Sequence, residues 1–151
     1  MKRGRSSRQE RHEKHPRLIS GIISITSRGV GYVSHSALRE DIEIQPHDLN
    51  TALNSDTVEV SLHKKASGRR VQGKVVRVIE RAKHQFVGTL KKEEAGWVLV
   101  PDDKRMYRPI SIPPLKTGQL SEGQKALVHL ALWTDPQKRP EGNVIRVLGQ
   151  A

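Results

Sequence analysis

The chain has 151 residues, of which 34% are hydrophobic and 3% aromatic, and it contains no cysteine. This length suits one ordinary domain or two small ones, and the lack of cysteine excludes disulfides and cysteine-ligated metal sites. The formal net charge of +11 favours a polyanionic partner, with nucleic acid ahead of an anionic membrane. No apolar run approaches the ~18 residues of a membrane span and no signal-peptide core follows Met1, so we expect a soluble cytoplasmic protein.

The first 17 residues form a basic segment. They carry seven lysines and arginines against two glutamates, and nothing apolar lies between Met1 and Leu18. Because such a segment cannot bury itself, we predict a disordered arm over residues 1–17. Two interpretations of the arm remain open, a grip on phosphates or a solubilising tail or linker.

From Leu18 onward the pattern predicts β-strands. Short apolar or alternating runs are bounded by glycine, serine, asparagine and aspartate, as strands commonly are. The predicted strands span residues 18–26, 31–35, 41–44, 56–63 and 71–79, with one helical turn at 46–53. Five short strands with a small helix between the third and the fourth describe an OB-type barrel.

The same pattern recurs in the second half. The clearest sequence match is between the stretch that starts at Gly73 and the stretch that starts at Gly142. Matches closer to the N-terminus of each half follow the same order. They pair Gly21 and Gly29 with Gly88 and Gly96, Ile42 and Ile44 with Ile110 and Ile112, and Val58, Val60 and Leu62 with Ala126, Val128 and Leu130. The sequence therefore predicts an all-β chain of two tandem five-stranded OB-fold barrels, residues 18–81 and 85–149, preceded by the arm.

Two stretches are candidates for binding a single strand. In Arg28-Gly-Val-Gly-Tyr-Val33 a basic residue precedes a strand that carries a ring, and His35 follows that strand. The alternatives are a hairpin whose tyrosine covers core and an idle surface histidine. Basic residues also fill the loop between the fourth and fifth strands and continue into the fifth: Lys64, Lys65, Arg69, Arg70 and Lys74. OB-folds use this loop for oligonucleotides, so we predict phosphate contacts there, against a merely solvated hairpin tip.

In the second barrel Trp97 is the candidate ring. The repeat matching places it where Val30 lies in the first barrel, one residue after the matching glycine. Trp97 either stacks a base or plugs the barrel, and core packing is the commoner use of a lone tryptophan.

Catalytic motifs are missing from the sequence. Asp102 and Asp103 are adjacent and would point to opposite faces of a strand, so we expect them in a turn after Pro101. The histidines show no metal-ligand spacing, and there is no phosphate-binding loop and no nucleophile elbow. We therefore predict no catalytic residues, no metal and no cofactor in this chain.

Four stretches carry a resemblance to a known family: Arg28-Gly-Val-Gly-Tyr-Val33, Asp41-Ile-Glu-Ile44, Trp97-Val-Leu-Val-Pro-Asp-Asp103 and Gly142-Asn-Val-Ile-Arg-Val-Leu-Gly149. Their order and spacing over residues 18–149 resemble the two N-terminal cold-shock domains of the ribonuclease R and ribonuclease II family. The resemblance implies barrels that guide single-stranded RNA toward a magnesium-dependent 3′-to-5′ exoribonuclease domain. That domain would begin where this chain stops, so we expect the chain to be the RNA-binding front of such an enzyme.

The chain departs from the family pattern on the face where bases stack. Cold-shock domains usually carry aromatics at the positions of Val30 and Tyr32 and on the third strand, where this chain has Glu43. Only Tyr32 remains, and a carboxylate at Glu43 repels phosphate. Since each stacked base contributes about 1–3 kcal/mol, we expect a weaker sheet face that the basic hairpin compensates.

Other functions for the same architecture stay open. One is a free-standing RNA chaperone of cold-shock type, and another is a module that docks on the ribosome or on RNA-degradation machinery. We expect a monomer in each case, with single-stranded RNA as the primary partner.

Overall fold

The computed structural model describes residues 17–63, 70–114 and 119–150. These residues are all-β, which confirms the predicted class, and none of their helices is long and apolar enough to cross a bilayer. The predicted arm, apart from Arg17, lies outside the described ranges. The strands are β1 (Leu18–Ile25), β2 (Gly31–Val33), β3 (Ile42–Ile44), β4 (Thr57–Leu62), β5 (Gln72–Glu80), β6 (Gln85–Glu93), β7 (Gly96–Pro101), β8 (Ile110–Ile112), β9 (Gln124–Leu130) and β10 (Gly142–Gln150), with one 3-10 turn at Pro46–Asp48.

Strands β1 to β5 form a closed barrel in the order β1-β2-β3-β5-β4. Alternate residues of β2 and β3 are buried, as expected for strands with one face on a core. The inward side chains of Ile23, Ile42, Ile44, Val58 and Val60 have no solvent exposure. The parallel pairing of β3 with β5 closes the barrel and places the two strands' outward side chains next to each other.

Strands β6 to β10 repeat this neighbour order but form an open sheet, β10-β9-β6-β7-β8. Among the described residues, one bridge links β8 to the residue before β10, from Ser111 to Glu141, where β3 and β5 form a two-residue ladder. Pro113 follows β8 where Gln45 follows β3, and a proline has no N–H with which to extend the ladder. Within the part of the chain that the structure describes, the predicted second barrel is therefore an open five-stranded sheet whose two edges meet at one bridge.

The strand registers confirm most of the predicted repeat. Gly21 pairs with Val58 in the first unit, and its match Gly88 pairs with Ala126 in the second. Gly88 must remain a glycine, because an added Cβ would lie 2.3 Å from the carbonyl oxygen of Val100. The two units thus share strand order and glycine placement.

The predicted equivalence of Trp97 and Val30 is wrong. Trp97 pairs with Ile112 as Gly31 pairs with Ile44, so Trp97 occupies the place of Gly31. Four residues separate Trp97 from its β6 partner Lys92, whereas five separate Gly31 from its β1 partner Ile25. This difference of one residue shifts the sequence match by one position. Trp97 is half-buried and packs against the second core.

A buried ion pair fixes the link between the two units. Asp56 is fully buried, and its Oδ2 accepts hydrogen bonds from the Leu53 amide at 2.8 Å and from Arg81 Nη1 at 2.7 Å. Its Oδ1 accepts the Ala82 N–H at 2.9 Å, and Arg81 also donates to the Thr51 carbonyl at 2.7 Å. The residues that join β5 to β6 are therefore tied to the first barrel.

Aromatic residues of the second unit complete the junction. Tyr107 packs against both cores and donates its hydroxyl hydrogen to the Ala52 carbonyl at 2.7 Å. Burial raises the pKa of the Tyr107 phenol to about 12. The guanidiniums of Arg81 and Arg108 lie 5.9 and 5.4 Å from the Trp133 ring. These contacts hold the barrel and the sheet against one another.

Candidate nucleic-acid interface

A row of outward side chains crosses the first barrel. Tyr32 on β2 pairs with Ser24 on β1 and with Glu43 on β3, and Glu43 pairs with Gln72 on β5. The residues on either side of them in β2 and β3 face the core, so the pleat directs this row to the outer surface. Tyr32 and Glu43 are both half-buried. The row is the place where the sequence predicted one remaining aromatic platform.

Arg70 brings the basic hairpin to this row. Its guanidinium carbon lies 5.2 Å from the centroid of the Tyr32 ring, within the range of a cation–π contact. The predicted hairpin residues Lys64, Lys65 and Arg69 lie outside the described residues. The sequence analysis treated the ring and the basic residues as separate sites, whereas the structure places Arg70, the last of the predicted loop cations, against the ring.

Two amide side chains hold the Glu43 carboxylate. Its Oε1 accepts hydrogen bonds from Gln72 Nε2 at 2.9 Å and from Gln45 Nε2 at 3.2 Å. No residue in the described ranges donates a hydrogen bond to Oε2. Sequence reasoning missed both glutamines, although the predicted OB topology contains a parallel pairing of the third and fifth strands that brings Gln72 beside Glu43.

Lys74 extends the positive charge along β5. It is exposed on the outer face, two residues beyond Gln72, and lines an open cleft of about 350 Å³. His47 and Asn50 of the first unit and Pro136 of the second also line this cleft. Lys74 therefore lies where residues of the two units line one cleft.

Arg28 and His35 lie at opposite ends of β2. Arg28 is exposed in the turn between β1 and β2, next to Gly29, whose φ of +83° suits a glycine. His35 is half-buried, and its Nδ1 accepts the Ala37 N–H at 3.0 Å. Arg28 is thus available to a ligand, while one nitrogen of His35 stabilises a turn.

Trp97 does not join the outer row. It lies on β7 of the second unit, on the strand face that packs against the core. Val98, which is buried, stands where Tyr32 stands in the first barrel, so the second sheet has no ring at the matching position. This placement favours the packing role for Trp97 over the stacking role.

The paired aspartates are each bound to a different cation. Asp102 forms an ion pair with Lys125, and Asp103 accepts hydrogen bonds from the Arg105 backbone and side chain. The Arg105 hydrogen bonds lower the pKa of the Asp103 carboxyl. Across residues 17–63, 70–114 and 119–150 no group of three or more histidine, aspartate or glutamate side chains could hold a metal ion. Asp102 and Asp103 thus lie in the turn after β7, as the sequence predicted, where Asp103 binds Arg105 within the turn and Asp102 binds Lys125 on β9.

Comparisons with known proteins agree with this architecture. A family model described as a ribonuclease B OB domain matches residues 21–78, and one described as a cold shock domain matches residues 98–151. The chain is 24% identical to ribonuclease R of Acidithiobacillus ferrooxidans over 135 residues, which is 88% of this chain and 31% of that relative. The chain thus spans less than a third of the relative's length.

Two solved structures share the fold. Ribonuclease R of Mycoplasma genitalium, in complex with ribose-methylated single-stranded RNA, matches with a TM-score of 0.74 and 21% identity over 87% of this chain and 22% of that chain. Yeast Ssd1, described as a pseudonuclease, matches with a TM-score of 0.74 and 22% identity over 89% of this chain and 23% of its own. At such identities the likeness establishes the fold.

Proposed function

Since this chain belongs to the ribonuclease R and ribonuclease II family, as its two cold-shock domains, we propose that it binds single-stranded RNA on the outer face of the first barrel. The observation that carries the proposal is the contact between Arg70 and Tyr32. A ring and a guanidinium on an exposed face supply two flat surfaces for an unpaired base and one positive charge for its phosphate.

The surrounding charge supports the same function. Arg28 and Lys74 are exposed at two sides of the row, and the hairpin sequence adds three more cations next to Arg70. Cations that neutralise phosphates release counterions, so they contribute affinity that does not depend on base sequence. The proposed site therefore combines one stacking position with a larger electrostatic contribution.

We further propose that the two units act as one track that leads RNA to a ribonuclease R-like catalytic domain. The relatives named ribonuclease R support this role, as does the Mycoplasma structure with bound single-stranded RNA. The junction supports it physically, because the Asp56–Arg81 pair and the Tyr107–Ala52 hydrogen bond would keep the units aligned. We expect the chain to act as a monomer.

A second candidate is an RNA-binding module that works without cleavage, as an RNA chaperone or as a docking module on the ribosome or on RNA-degradation machinery. The shared fold with yeast Ssd1, which is described as a pseudonuclease, supports this candidate. Both candidates require the same RNA-binding face and differ in what receives the RNA.

Fluorescence anisotropy with labelled single-stranded and duplex RNA tests the shared claim. We expect tighter binding of the single strand, weakened by Arg70→Ala and by Tyr32→Ala. Lys104→Ala, which removes an exposed charge from the turn after β7, is the matched control and should bind nearly as wild type does. Equal affinity for duplex, or equal losses in all three variants, would contradict the proposed site.

A further inference from the structure

We infer that Glu43 selects the base that stacks on Tyr32 and that it favours guanine. The inference rests on the proposed function, since it requires an RNA base on this ring. Glu43 departs from the family pattern, because its carboxylate replaces the aromatic side chain that usually stands on the third strand. The structure gives that carboxylate a defined position and defined partners.

Glu43 lies beside the Tyr32 ring on the outer face of the sheet. Glu43 is the direct cross-strand partner of Tyr32, and such partners have Cβ atoms roughly 4.5–5.5 Å apart on the same face of the sheet. A base laid on the Tyr32 ring extends beyond the ring, so one of its edges comes within reach of the neighbouring side chain. On the other side of Tyr32 stands Ser24, which is shorter. The longer and charged neighbour is Glu43.

The hydrogen bonds of Glu43 decide what it can still accept. An ionised carboxylate is acceptor-only, and Oε1 already receives the amides of Gln72 and Gln45. These two bonds hold the carboxylate in place, while Oε2 receives no hydrogen bond from any described residue. A half-buried acceptor without a donor is unfavourable once a ligand excludes water, so a base that brings a donor is preferred.

The four bases differ in the donors on their Watson–Crick edge, the edge that single-strand readers use. Guanine offers an N1–H and an adjacent N2 amino group, so it presents two neighbouring donors. Cytosine and adenine offer one amino group beside an acceptor nitrogen. Uracil offers one N3–H between two carbonyl oxygens, which the carboxylate repels. We therefore expect the order guanine, then cytosine and adenine, then uracil.

The test compares ten-nucleotide RNAs by fluorescence anisotropy: oligouridine, alternating CU, alternating GU and alternating inosine-U. Inosine keeps the ring N–H of guanine and lacks its amino group. Wild type should bind GU at least about 5-fold more tightly than oligouridine, the lower end of the range for a base-specific contact. The affinities for inosine-U and CU should fall between these two.

Glu43→Gln keeps the side-chain shape and removes the purely accepting group, so it should bring the GU-to-U ratio close to one. Glu43→Phe should also bring the GU-to-U ratio close to one. It should tighten the binding of oligouridine, because it adds a ring on which a base can stack and removes a charge that repels phosphate. The control Glu80→Gln removes the same charge at the far end of β5, eight residues from Gln72, and should preserve the ratio. Circular dichroism and a melting curve establish that each variant is folded.

Three outcomes would overturn the inference, and they are distinguishable. If wild type binds GU and oligouridine within twofold, or if Glu43→Gln preserves the ratio, Glu43 does not select bases although RNA binding stands. If wild type binds none of the oligonucleotides, the proposed function fails together with the inference.

Discussion

The guanidinium of Arg70 lies 5.2 Å from the centroid of the Tyr32 ring, so a charge of the β4–β5 hairpin and the ring of β2 form one contact surface. A base that reaches Tyr32 meets Arg70 at the same time, because both occupy the outer face of the first barrel. We therefore propose that Arg70 and the sheet face contribute to one RNA-binding site, and the affinity that each contributes can be measured.

The hairpin charges should contribute more affinity than the ring. Replacing Lys64, Lys65, Arg69 and Arg70 with alanine removes four charges, and each phosphate that is no longer neutralised lowers the log–log salt slope by about 0.7 for a single strand. Tyr32→Ala should leave that slope nearly unchanged and cost at most the ~1–3 kcal/mol of one stacked base. Anisotropy titrations at several salt concentrations measure both quantities.

One experimental outcome would contradict the ranking of the hairpin charges above the ring. If Tyr32→Ala abolishes binding in a protein that remains folded, while the four-charge variant binds normally, the sheet face dominates. A salt slope close to zero in wild type would contradict the electrostatic account as a whole.

The link between the units should depend on Arg81. Arg81→Met leaves the buried Asp56 carboxylate without its cation, and the loss of one partner of a buried pair costs about 3–5 kcal/mol. Arg77→Met breaks the surface pair with Glu59 and should cost less than about 1 kcal/mol. Urea unfolding measures both variants, and equal free energies of unfolding would contradict the structural role of Arg81.

Stability at alkaline pH should depend on Tyr107. The pKa of the Tyr107 phenol is about 12 in the folded protein, against a usual value of 10.0. The contribution of the neutral phenol to the free energy of unfolding is therefore fully present below pH 10 and is lost as the pH rises through 12. Two pKa units correspond to about 2–3 kcal/mol. Tyr107→Phe should be less stable than wild type at neutral pH, and its unfolding free energy should fall less steeply between these pH values.

The control for this experiment is Tyr32→Phe, which changes the chain's other tyrosine and should keep the wild-type decline. Parallel pH profiles for wild type and Tyr107→Phe would show that the Tyr107 hydroxyl does not carry the effect.

The chain by itself should bind RNA without shortening it. The adjacent carboxylates of Asp102 and Asp103 are each bound to a cation, and the family resemblance places catalysis in a separate domain. End-labelled single-stranded RNA incubated with the purified chain and magnesium or manganese should keep its length on a denaturing gel. Shortening that co-purifies with the chain through successive columns would contradict this division.

The sequence predicted the strands and the repeat because both depend on local patterns. Alternating burial in β2 and β3 and the glycines at 21 and 88 follow directly from residue type. The position of Trp97 was misjudged because it depends on the hairpin register, which encloses four residues between Lys92 and Trp97 but five between Ile25 and Gly31. The open seam after β8 follows from Pro113, whose effect appears only once its ladder position is known.

The site was harder to predict because its contacts join residues distant in sequence. Gln72 reaches Glu43 across 29 positions through the β3–β5 pairing, and Arg70 reaches Tyr32 from a different loop. Arg81 lies among the basic residues that follow the hairpin, and its burial depends on Asp56, 25 positions earlier. A basic residue in a sequence indicates an attraction to polyanions. Whether its charge is available to RNA depends on whether another residue of the folded chain already binds it.

The central claim is that the outer face of the first barrel receives single-stranded RNA. Photo-cross-linking with RNA that contains 4-thiouridine, followed by mass spectrometry of the digested protein, tests it most directly. We predict a cross-linked peptide from β2 that contains Tyr32, and its loss when unlabelled single-stranded RNA competes. Cross-links confined to β6 to β10, with the Tyr32 peptide unmodified, would contradict the claim.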